Sequence, residues 1–89
     1  MLFRSRALAG VLADLAATHQ VIVVTHLAQV AVMADKHYVV SKEPGDVPQT
    51  HLDEVAGDAR TAEIARMLSG DQSEASLAHA KQMLEEARG

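Results

Sequence analysis

The chain of 89 residues has no cysteine and no tryptophan, with one tyrosine and one phenylalanine. Without cysteine there is no disulfide framework and no thiolate metal site, which fits a reducing cytoplasm. With Phe3 and Tyr38 as the only aromatics, little is available to stack on nucleic-acid bases. No apolar run approaches the roughly 18 residues that span a bilayer, and MLFRSR lacks the apolar stretch of a secretory leader. No excess of positive charge is present either. Net charge is -4, so no basic field draws the chain onto nucleic acid. Two phosphate-binding loops are also missing: there is no G-x-x-x-x-G-K-[ST] and no G-x-G-x-x-G. No apolar strand ends in Asp-Glu to hold Mg²⁺, so the groups that cradle a triphosphate and its metal are not in this sequence.

What is present is globular: 48% hydrophobic and 22% charged residues. A chain of this length buries about 60–65% of its unfolded surface. Its core must come from Ala, Val, Leu, Ile and Met. Many of these are Ala, each adding little buried area, which predicts a marginal domain or part of a larger one.

Hydrophobic spacing organises the chain into an α/β pattern. Leu8, Val11, Leu12 and Leu15 share one face of a helix over 5–18. Val21-Ile22-Val23-Val24 is β-branched throughout and predicts a strand buried on both faces, as in a parallel sheet. Leu27, Val30, Ala31 and Ala34 predict a short helix over 28–34, and 37–42 a second strand. That helix would be a right-handed crossover if the two strands share a sheet and run parallel. Pro44-Gly45-Asp46 signals a turn, and a third strand is expected over 50–55, antiparallel to the second. Asp58 is the expected N-cap of a helix whose face is Thr61, Ile64, Ala65 and Leu68, stopped by Gly70. Ser73 is the expected cap of a last helix with Leu77, Ala80, Leu84 and Ala87 on its stripe.

His26 is the residue best placed for chemistry. It follows the C-terminal end of the 21–24 strand, and ligands of open α/β sheets bind outside that edge. An imidazole there can donate to a phosphate oxygen or position a water, with Thr25 as a second donor. The alternative is a histidine packed over the strand end and bonded to a backbone carbonyl. His19, His37, His51 and His79 show no helical zinc spacing, so no metal site is expected and they read as solvated surface. Asp53/Glu54 and Glu85/Glu86 read as exposed carboxylates, and Lys42 as an edge charge. Ser69 and Ser73 have no evident base, and Met33, Met67 and Met83 read as core fillers.

The run from Val21 through Thr25-His26-Leu27 to Ser41-Lys42-Glu43 resembles the C-terminal part of the RecN family, SMC-like members of the ABC ATPases. Two stretches extend the resemblance: Glu63-Ile64-Ala65-Arg66-Met67-Leu68-Ser69-Gly70, and 74–84. It implies a partial ATPase head lobe of two or three strands flanked by helices, with two helices at its C-terminus. It also implies that His26 is the switch histidine facing the γ-phosphate and attacking water across a dimer of heads. The parent would bind and hydrolyse ATP with Mg²⁺ in DNA double-strand break repair and recombination. Its partners would be the rest of the head, a second head, and DNA through other regions, at the nucleoid and away from membranes. Where the family usually has Pro after Thr-His-Leu, this chain has Ala28, a change expected to loosen the first helical turn beside His26. Residues 1–5 are expected to be non-native, because Leu2-Phe3-Arg4-Ser5 is also the translation of CTCTTCCGATCT, a common sequencing-adapter end. Residues 6–89 are then the C-terminal head segment, inactive as an ATPase alone and binding no cofactor tightly. The rival expectation is a small standalone α/β interaction module, with His26 structural.

Overall fold

The computed structural model describes residues 2–88, and the side chains of 7–88. It is a mixed helix-and-sheet arrangement, a partial α/β domain. In chain order the elements are α1 (Leu2–Ala16), α2 (Ala28–Ala31), β1 (His37–Glu43), β2 (Gln49–Val55), α3 (Gly57–Ser69) and α4 (Glu74–Arg88). The expectation for residues 1–5 concerns Met1 and side chains that lie outside the described residues; the backbone from Leu2 onward belongs to α1.

The sheet is a two-stranded antiparallel hairpin, with His37 opposite Val55, Val40 opposite Leu52 and Glu43 opposite Gln49. The turn signal at Pro44-Gly45-Asp46 and the strand expected over 50–55 both correspond to this hairpin. Pro48 ends the connecting loop, where its missing N–H costs no ladder bond.

The strand expected at 21–24 is not formed. The segment has no secondary structure, and Ile22 is 84% and Val24 95% exposed. A strand buried on both faces needs ladder partners on each side and covering layers, and among the described residues the sheet holds β1 and β2 alone. Among the described residues no backbone hydrogen bond joins 21–24 to another segment, so its backbone polar groups are left to water. The conditional crossover therefore does not arise.

The core lies where α2, α3 and α4 meet. Ala28, Ala31, Val32, Ile64, Ala65 and Ala80 are its buried members, edged by Met67, Leu68, Leu77, Met83, Leu84 and Ala87. Ile64, Ala65 and Ala80 are wholly buried. The apolar spacing of α3 and α4 thus points where the sequence says. That of α1 does not, because Leu8, Val11 and Leu15 are exposed and Ala9 is its buried residue. Met33 is also exposed, unlike Met67 and Met83, because the chain turns away from the core after Val32.

Caps define the C-terminal helix pair. Gly70 stops α3 at φ 77°, the left-handed conformation that glycine adopts without a Cβ penalty. Ser73 Oγ accepts the Ser76 N–H at 3.3 Å, the expected N-cap bond of α4. Asp58 is not the cap of α3. Ala56 holds that place and Gly57 opens the helix at φ 58°, leaving Asp58 in the first turn, where its charge suits the helix dipole.

Ile64 is the largest fully buried side chain. Ile64→Val is expected to lower stability by about 0.5–1.5 kcal/mol, read from the denaturant midpoint with an unchanged m-value.

Candidate functional site

His26 sits in an exposed bend directly ahead of α2. Because the 21–24 strand is not formed, His26 does not stand at a sheet rim. Its position is set by the turn and helix that follow. Thr25 is half-buried, and its hydroxyl oxygen accepts the Leu27 N–H at 3.0 Å. This local turn leaves the Thr25 O–H free to donate elsewhere. Leu27 is the extended N-cap of α2 (φ −95°, ψ 117°), and its carbonyl accepts from Val30 and Ala31 N–H, each at 3.1 Å. Ala28, at the place of the family's usual proline, opens α2 and is 3% exposed.

The far end of α2 is held by a residue that sequence reasoning missed. Arg60 Nη2 donates to the Ala31 carbonyl at 3.1 Å and to the Ala34 carbonyl at 2.7 Å. Its Nε is buried without a partner. Burial lowers the Arg60 pKa, nearby Arg88 lowers it further, and Asp35 opposes both. The signal was available: Arg60 lies four residues before Ile64 and so shares its stripe on α3.

Arg60 also borders His37, which is half-buried and not the solvated surface residue expected. His37 Nδ1 is buried without a partner. Burial is the main force pushing its pKa below the usual histidine value; Arg60 adds to this and Glu63 opposes it. Glu63 is paired with Arg66 one helical turn on, through a bond from Arg66 Nε at 3.0 Å. That hydrogen bond chiefly depresses the Glu63 pKa.

The remaining candidates are separate from His26. His51 Nε2 meets Glu43 Oε2 at 3.0 Å across the hairpin, both exposed. His19 bonds Thr18 at 2.8 Å. Lys42, Asp53, Glu54, Glu85 and Glu86 are exposed. Ser69 and Ser76 hydroxyls donate to Asp71 Oδ1 at 3.1 and 3.0 Å, and Ser73 N–H does so at 3.1 Å, which ties the α3–α4 turn. The Ser73 N–H bond leads the causes that lower the Asp71 pKa. Among the described residues no three His, Cys, Asp or Glu side chains converge on a metal position. A cleft of about 590 Å³ opens between the end of α2, the start of α3 and the end of α4, lined by Asp35, Arg60, Lys81 and Arg88 among others. Neither Thr25 nor His26 reaches it.

No protein-family model matches the chain. Relatives do. Over 79 residues it is 52% identical to the DNA repair protein RecN of Deinococcus radiodurans, covering 88% of this chain and 14% of that protein. The chain matches a C-terminal segment of RecN. The RecN of Mycobacterium leprae is 53% identical over 78 residues, covering 86% of this chain and 13% of that protein. That of Streptomyces coelicolor is 46% identical over 79 residues, covering 86% and 14%. The chain thus spans 13–14% of the length of these RecN relatives.

Folding favours neutral His37, so the unfolded chain binds the extra proton. Stability is therefore expected to fall as pH drops through about 6.5, the unfolded histidine value, and to level off below the folded value. Urea midpoints between pH 8 and 5 for the wild type and His37→Gln check this. A flatter profile for the variant is expected, and an identical one would contradict it.

Proposed function

We propose that this chain supplies the switch-histidine element of an ATP-hydrolysing, SMC-like head in a RecN-type DNA repair protein acting in the cytoplasm. The observation that carries the reading is the presentation of His26. Its side chain is exposed, while the helix immediately after it packs into the core through Ala28, Ala31 and Val32. A group that must meet a ligand held by another part of a molecule needs this combination of accessibility and anchorage.

The residues present fit one side of a nucleotide site. His26 can donate a ring N–H to a phosphate oxygen and orient a water beside it; Thr25 can donate its O–H. They do not fit the other side, since the sequence has no phosphate loop and no carboxylate pair accompanies His26. Bound ATP with Mg²⁺ supplies the transferable phosphoryl group and the metal that neutralises its charge. The metal ligands and phosphate cradle then belong to the rest of the head, the second histidine-facing surface to a partner head, and DNA to other regions of the parent. Repair and recombination come to this chain only through the RecN likeness.

The exposed apolar run at Ile22 and Val24, with Leu8, Val11 and Leu15 on α1, favours a head segment over a self-sufficient interaction module. No helix among the described residues is long and apolar enough to cross a membrane.

The test is a hybrid in which this chain replaces the matching segment of the Deinococcus relative. His26→Ala is expected to cut ATP turnover on the order of a hundredfold while nucleotide binding persists. Undiminished turnover would remove the role assigned to His26. Because the side chain is exposed, the same substitution should leave stability of the 89-residue chain within about 0.5 kcal/mol.

A further inference from the structure

We infer that Arg60 is a positioning residue for His26, acting through α2; the inference deepens the reading above, and its kinetic arm rests on that reading. The connection is a continuous series of hydrogen bonds. Arg60 Nη2 holds the Ala31 and Ala34 carbonyls at 3.1 and 2.7 Å. Ala31 N–H is bonded to the Leu27 carbonyl at 3.1 Å, and Leu27 N–H to Thr25 Oγ1 at 3.0 Å. His26 lies between those last two residues, so its backbone is bracketed by groups fixed from α3.

Length is what makes the tether matter. α2 has four residues, one turn, and a helix so short has no stability of its own. At its end the Ala31 carbonyl accepts the Ala34 N–H at 3.2 Å, a tight i to i+3 bond of poorer geometry. Arg60 adds a second donor to that carbonyl and one to the Ala34 carbonyl just beyond, from a neighbouring helix whose next turn, Ile64-Ala65, is the centre of the core. A guanidinium suits the task because its donors are fixed in one plane and can engage two acceptors; a lysine ammonium is a point donor. The buried Nε is left as one unsatisfied donor in this arrangement. Asp35 and Arg88 flank the guanidinium with opposite charges, and neither supplies the carbonyl contacts.

The structural arm uses the full 89-residue chain. In Arg60→Ala the amide NMR signals of Thr25, His26 and Leu27 are expected to shift, while those of Leu77 and Ala80 on α4 stay in place. Arg60→Lys is read the same way and serves if alanine loosens the helix pair. Unmoved signals at 25–27 in both variants would overturn the inference. The kinetic arm uses the hybrid head. Arg60→Ala is expected to lower kcat by roughly tenfold to a hundredfold with KM for ATP little changed. Added guanidinium should restore part of that loss in Arg60→Ala and none in His26→Ala. If the 25–27 signals move but His26→Ala turns over normally, Arg60 still positions the turn and the ATPase role of His26 falls. If His26→Ala is inactive while both Arg60 variants match the wild type, the role of His26 stands and the positioning by Arg60 falls.

Discussion

The small-residue core where α2 docks on the α3–α4 pair is what the rest of the structure depends on. Small side chains make it possible: Ala28 and Ala31 on one helix meet Ala65 and Ile64 on the other, with Ala80 of α4 closing the cluster. Alanine allows close approach but removes little apolar area from water, so the core is tight and its driving force modest. One large residue, Ile64, is fully buried. A one-turn helix has little stability of its own. Arg60 adds a polar fastening at the Ala31 carbonyl that ends α2 and at the Ala34 carbonyl just beyond it.

Local physics decided which elements were legible in the sequence. Gly70 and Ser73 mark the α3–α4 turn because their roles depend only on neighbouring backbone groups. The hairpin follows from Pro44-Gly45-Asp46 between two β-rich runs, for the same reason. The faces of α3 and α4 were readable because the partners they bury against are in the same chain. Val21-Ile22-Val23-Val24 shows the converse. Its composition reports what such a run is suited to, burial inside a sheet, but a strand exists only through partners, and none stands beside it among the described residues. Exposure of Leu8, Val11 and Leu15 has the same origin.

The candidate site divides along similar lines. His26 was recognisable from its place after the apolar run and from the Thr-His-Leu resemblance, although the sheet edge meant to frame it is not formed. His37 reads as solvated surface in the sequence, and by residue type alone Arg60 carries no sign of a role, because charged and titratable residues read as surface by default. On the Ile64 stripe that default fails: a long side chain there can lie along the apolar seam and deliver its charge to carbonyls at the far side. His37 is drawn in with it, at the root of β1 beside Arg60 and Glu63. The RecN likeness covers 86–88% of this chain and 13–14% of those relatives' length, and within the chain His26 is exposed and the apolar positions Leu8, Val11, Leu15, Ile22 and Val24 lie uncovered.

The most direct test is amide hydrogen exchange on the 89-residue chain. Val30, Ala31, Val32 and Met33, whose N–H groups are bonded within and just after α2, are expected to be protected together with the middle of α3. Ile22, Val23 and Val24 are expected to exchange at the rate of an unstructured peptide. Slow exchange at 22–24 matching that of α3, or no protection at all in α2, would contradict this arrangement.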